Sequence, residues 1–115
     1  MTKFNSARTS CNHGHTHASA KEARRCSELH LLLRAGHITA LSIEPTFKLI
    51  IAGTPIKTSR GSVAKYRPDF AYIEGNPGKP VAEDVKTSAT LTEASKLRMA
   101  VFRAAYPQIE LRVLM

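Results

Sequence analysis

Asp69, Asp84 and Lys86 are the residues whose types and spacing could do chemistry together. Asp84 and Lys86 stand two apart in the run Val81-Ala82-Glu83-Asp84-Val85-Lys86. On a strand, residues two apart share a face. Asp69 follows Pro68 inside Lys65-Tyr66-Arg67-Pro68-Asp69-Phe70-Ala71-Tyr72. The breaker-rich segment Glu74-Gly75-Asn76-Pro77-Gly78 between the two runs predicts a turn that folds Asp69 back towards Asp84. Two carboxylates and an ammonium on one sheet face have little structural use. A hard divalent cation, which takes oxygen ligands, explains them better.

Each acid also has a plainer reading. Asp69 could bond a nearby backbone amide or pair with Arg67, and Asp84 could sit opposite a lysine on an exposed strand. Lys86 could simply pair with Asp84, or it could orient an attacking water and stabilise charge on a pentacovalent phosphate. Glu83 shares the Val85 side of the strand, so the geometry selects Asp84 over its equally acidic neighbour unless a bulge intervenes. Glu22 belongs to the capping box Ser19-Ala20-Lys21-Glu22 but also heads an apolar stripe with Cys26, Leu29 and Leu33. A carboxylate there can cap the helix, hold a metal, or do both.

The elements that must position these groups follow from periodicity. A helix is predicted from Ser19 to Ala35, stopped by Gly36, with Leu29, Leu32 and Leu33 on its buried side. Strands are predicted at Phe47–Ile51, Val63–Ile73 and Pro80–Lys86, with a polar loop from Gly53 to Ser62. A second capping box, Thr90-Leu91-Thr92-Glu93, predicts a helix that ends before Pro107, with Ala94, Leu97, Val101, Ala104 and Ala105 on one side. A closing strand covers Ile109 to Leu114. The order is helix, three strands, helix, strand, which predicts an α/β (α+β) domain with a central mixed sheet flanked by helices. Tyr66, Phe70 and Tyr72 fall on one face of the second strand and read as core.

With 115 residues and 43% hydrophobic content, the chain suits one globular domain spanning 19–115. Residues 1–18 read as a flexible polar arm carrying Cys11, His13, His15 and His17. Their spacing matches no standard zinc finger, yet a zinc-binding arm stays open. Cys11 and Cys26 read as reduced thiols of a cytoplasmic protein. No apolar run approaches a membrane span. The formal charge of +8 favours a polyanionic partner such as DNA. Lys57, Arg60, Lys65 and Arg67 supply positive charge before Asp69. Lys96 and Arg103 form a ridge on the second helix, with Arg98 on the other flank of Leu97.

From Ser19 to Arg112 the chain resembles a small phage- and prophage-borne domain family in the PD-(D/E)xK nuclease superfamily. The matching pieces are Ser19-Ala20-Lys21-Glu22-Ala23, Ile43-Glu44-Pro45-Thr46-Phe47, Pro68-Asp69-Phe70, Val81-Ala82-Glu83-Asp84-Val85-Lys86 and Ala105-Tyr106-Pro107-Gln108-Ile109-Glu110. The resemblance implies a restriction-endonuclease-like core and hydrolysis of DNA phosphodiesters with Mg2+ or Mn2+. It also implies metal-binding Glu22, Asp69 and Asp84, a catalytic Lys86, and a bacterial host cytoplasm. Relatives tend to have glycine directly after the lysine, and this chain has Thr87. Branched DNA or recombination intermediates are substrates the superfamily suggests, and a homodimer could place one site on each strand.

Three functions are therefore in view. The first is a metal-dependent DNA endonuclease. The second is a non-catalytic nucleic-acid-binding module that retains the nuclease fold, against which the intact Asp69, Asp84 and Lys86 argue. The third is a small interaction protein whose histidine arm binds zinc, which predicts loss of structure on chelation.

Overall fold

The computed structural model of the protein describes residues 9–10, 16–17 and 19–115. Two short strands, β1 (Thr9–Ser10) and β2 (Thr16–His17), pair antiparallel within the segment read as an arm. The proposed zinc ligands Cys11, His13 and His15 lie outside the described residues, as does the side chain of His17.

Helix α1 (Ala20–Arg34) begins where the capping box predicts. The Ser19 hydroxyl accepts the Glu22 N–H at 3.2 Å, satisfying one of the first-turn amides. Gly36 takes φ +82° just beyond the C-cap Ala35, a conformation glycine adopts without Cβ strain. Glu22, Ala23, Cys26 and Leu29 are buried along one stripe. Leu33, expected on that stripe, is instead exposed, while Leu32 beside it packs against the core.

The central sheet has four strands: β3 (Ile38–Ile43), β8 (Phe70–Glu74), β9 (Lys79–Val85) and β10 (Glu110–Leu114). Their spatial order is β10-β9-β8-β3. The first three in chain order form an antiparallel meander, and β10 pairs parallel with β9. A parallel neighbour needs a crossover, which α2 (Glu93–Ala105) provides. The protein is a mixed α+β fold in which α1, three sheet strands, α2 and a fourth sheet strand follow one another.

The first sheet strand is not the predicted one. Phe47–Ile51 breaks into β4 (Phe47–Lys48) and β5 (Ile50–Ile51), which pair with β7 (Lys65–Tyr66) and β6 (Thr54–Pro55) outside the central sheet. Glu44 and Ala52, both at positive φ, turn the chain on either side. The predicted strand Val63–Ile73 is likewise split at Arg67–Asp69 into β7 and β8. Proline supplies no amide hydrogen for a ladder, which makes Pro68 a natural break.

Both sheet faces are covered. On one, Ala23, Cys26 and Leu29 of α1 pack on Ile38, Phe70, Tyr72 and Val81. On the other, Met99 and Phe102 of α2 pack on Ala82, Leu111, Leu49 and Tyr66. Each fully buried Phe contributes about 1.5–3 kcal/mol of transfer free energy. Helix α2 starts two residues later than its capping box suggests. Thr92 is the N-cap and accepts the Ser95 N–H, while Thr90 closes a turn onto Thr87. Its buried stripe is Ser95, Met99 and Phe102; of the predicted apolar side Val101 and Ala105 pack against this stripe's cluster, while Leu97 is 66% exposed and Ala94 and Ala104 also face outward. No helix among the described residues is long and apolar enough to cross a membrane.

Candidate functional site

The β8–β9 hairpin sets the site. Its register pairs Phe70 with Glu83 and Glu74 with Lys79. Continued by one step, that register sets Asp69 opposite Asp84. A tight turn closes it, with Gly75 at φ +77° and no room for a Cβ at Gly78, which would fall 2.4 Å from Ile73 Cγ2. At the far end Asp69 Oδ2 accepts the Val85 N–H at 2.6 Å, so Asp69 is held against β9 one residue from Asp84.

Side-chain parity along β9 then sorts the charges. Ala82, Asp84 and Lys86 face α2, while Val81, Glu83 and Val85 face α1. Asp84 is 4% exposed. Its Oδ1 lies 3.8 Å from Lys86 Nζ, and its Oδ2 accepts the Tyr66 hydroxyl. Lys86 is itself largely enclosed and is backed by Leu114, whose carbonyl accepts the Lys86 N–H at 2.8 Å.

Glu83 is fully buried on the opposite face and is fully employed there. Arg25 of α1 grips it with two bonds, Nε to Oε1 at 2.8 Å and a terminal nitrogen to Oε2 at 2.7 Å, and the Tyr72 hydroxyl also donates to Oε2. The Glu83 carboxylate raises the Arg25 pKa further, and burial pushes the Tyr72 phenol up to about 12.

Glu22 is buried at the first turn of α1, and Lys21 beside it donates to the Lys86 carbonyl at 3.2 Å. This end of α1 therefore meets the end of β9. Burial pushes the Asp69 carboxyl up to about 8; the Val85 amide works against this, and the nearby charges of Glu22 and Asp84 add to it. Asp69 is thus within electrostatic reach of both Glu22 and Asp84. Among the described residues, no group of three or more His, Cys, Asp or Glu side chains stands close enough, as placed, to hold a metal ion.

The basic residues are spread more widely. Lys57 lies on a bridge to Val63, Arg60 at the tip of the Thr58–Ser62 turn, and Lys65 on the exposed side of β7. Arg67 is exposed, 3.9 Å from Glu44. Lys96 stands 3.4 Å from Glu93, and Arg98 and Arg103 are exposed on α2. Arg103 acts on the site, opposing the rise that burial imposes on the Tyr66 phenol.

Tyr66 is the site residue that the sequence reading missed. It is buried against Phe102, with ring centroids 4.9 Å apart, on the α2 face, whereas Phe70 and Tyr72 face α1. The three aromatics share a face only in an unbroken strand. Pro68 was the available signal that Tyr66 belongs to a separate strand. Thr87, which replaces the glycine of the resemblance, lies outside the positive-φ region, and its N–H is bonded to Thr90 Oγ1 at 2.8 Å.

Comparison with curated proteins and with solved structures returned no match. A family described as "Protein of unknown function (DUF1064)" does match, over residues 1–115, and the chain belongs to that family.

Proposed function

We propose that the protein is a metal-dependent DNA endonuclease of the PD-(D/E)xK kind, acting in the cytoplasm of a bacterial host on phage-related DNA. The observation that carries this reading is the β9 end: Asp84 and Lys86 on one face, 3.8 Å apart, with Asp69 tied to the next backbone amide. The order of sheet strands and helices is compatible with a restriction-endonuclease-like core. The net charge of +8 suits a polyanionic substrate.

The donor set fits a hard cation. Glu22, Asp69 and Asp84 offer oxygen alone; Glu22 and Asp84 are buried and Asp69 is half-buried. They are the residues that would hold Mg2+ or Mn2+, whose chemistry when bound is to acidify water and polarise a phosphoryl oxygen. The rest falls to the chain. Tyr66 fixes one oxygen of Asp84 by hydrogen bonding. Lys86 presents an ammonium at the same face, placed to orient a nucleophilic water and to offset charge building on phosphorus. Val85 keeps Asp69 facing the strand.

The test is incubation of the protein with linear duplex, single-stranded and four-way-junction DNA, with Mg2+ or Mn2+ and with chelator. Metal-dependent cleavage of at least one substrate, abolished in Asp84→Asn, is expected. Metal-independent binding without cleavage of any of them would favour the non-catalytic module.

A further inference from the structure

On the α1 side of the sheet, between the first two turns of α1 and the ends of β9 and β10, lies a cleft of about 360 Å3. Its lining is Lys21, Arg24, Arg25, Glu28, Val85 and Leu114. We propose that this cleft seats a nucleotide of the DNA flanking the cleaved position, with its phosphate on Lys21 and Arg24 and its sugar and base against Val85 and Leu114. This deepens the nuclease reading and rests on it.

The lining cations have different degrees of freedom. Arg25 is committed: Glu83 takes its Nε and one terminal nitrogen, and Glu28 takes the other at 3.0 Å. It forms the floor and contributes little free charge. Lys21 spends one donor on the Lys86 carbonyl, and an ammonium has three. Arg24 is exposed and makes no ion pair among the described residues. Two cations therefore remain available on one wall. The opposite wall is aliphatic. A cleft of this size with convergent charge on one side and apolar surface on the other suits a ligand that is anionic at one end and flat or apolar at the other.

Its position ties it to the acids. Val85 lines the cleft with its side chain and holds Asp69 with its amide. Lys21 lines the cleft and bonds the carbonyl of Lys86. The cleft itself opens on the α1 side of β9, opposite the face of Asp84 and Lys86, so a polynucleotide engaging both passes around the ends of β9 and β10. The basic residues singled out from the sequence all lie on other elements, so this wall adds an independent contact.

The experiment uses the full chain. A 5′-phosphorylated dinucleotide is titrated into 15N-labelled protein in chelator, and Arg24→Ala is compared with Arg34→Ala, at an exposed residue of the last turn of α1, for duplex binding and cleavage. Shifts centred on Val85, Arg24 and Leu114 are expected. Arg24→Ala should raise KM about fivefold with kcat kept, and flatten the salt dependence of binding by about one unit of slope, while Arg34→Ala does neither. Cleavage intact with no shift in the cleft and an Arg24→Ala indistinguishable from wild type would overturn the cleft and leave the nuclease reading standing. Cleft shifts with no cleavage of any DNA would do the reverse.

Discussion

Exchanging the acids at 83 and 84 separately for their amides should give opposite phenotypes, and the structure sets the size of each. Glu83→Gln strikes a fully buried carboxylate that holds Arg25 through two bonds and accepts the Tyr72 hydroxyl. An amide nitrogen on either terminal position meets a donor with a donor. Breaking a buried pair outright costs about 3–5 kcal/mol. Arg25 keeps Glu28, its side chain is 24% exposed, and one amide oxygen still accepts, so the loss should be about 2–3 kcal/mol. For a domain of this size that lowers Tm by roughly 8–12 °C. Asp84→Asn keeps an oxygen for Tyr66 and removes charge from a crowded site, so stability should change by no more than about 0.5 kcal/mol. Cleavage should vanish in Asp84→Asn and persist in Glu83→Gln below its lowered Tm. Circular-dichroism melting and a plasmid-nicking assay on both variants decide the matter. A Glu83→Gln protein that melts like wild type and cannot cut, beside an Asp84→Asn protein that cuts, would refute the parity argument.

Tyr66→Phe removes the hydroxyl that orients Asp84 while leaving the ring on Phe102; Mn2+ affinity measured by calorimetry should fall about 10–100-fold, as for other outer-shell partners of metal ligands. Glu22→Gln retains a capping-box side chain but not its charge, so melting should be unchanged while the Mg2+ needed for half-maximal cleavage rises; wild-type activity at limiting Mg2+ would leave Glu22 as a cap alone. Asp69 titrates near 3.8 when unfolded and near 8 in the fold, so the folded state keeps a proton the unfolded chain loses. Its contribution is present below about pH 4 and lost as pH rises through about 8, so in chelator the Tm of wild type relative to Asp69→Asn should fall across that window.

What was legible in the sequence was whatever depended on local pattern. The Ser19 cap, the turn after Glu74 and the parity of β9 each follow from a few adjacent residues, and each is found where it was read. What failed depended on which partner a segment finds. Phe47–Ile51 is more apolar than Ile38–Ile43, yet the latter joins the central sheet, through a register irregularity between Thr39 and Ser42 around the positive-φ Ala40. Helix α2 turns Ser95 inward because its hydroxyl bonds the Thr92 carbonyl at 2.9 Å, which makes a polar residue burial-competent and displaces Leu97 to solvent. Tyr66 was assigned to the wrong face because a strand read as continuous was broken by one proline.

The division of labour on β9 also explains how α1 can serve the site without being part of the sheet. Glu22 and Arg25 are three apart on α1, hence neighbours on its surface. Arg25 is clamped to Glu83, a residue of the central strand that lies next to Asp84 in sequence and points the other way. Lys21 reaches the Lys86 carbonyl past the end of the same strand. The helix is therefore fixed to β9 at two points that bracket Asp84 along the chain. Glu22, lying between Lys21 and Arg25, has its distance to Asp69 and Asp84 set by those two anchors. A buried ion pair of this kind contributes modest net stability. Its larger effect is to fix the register of α1 against β9, and with it the spacing of the three carboxyls on which any cation site here depends.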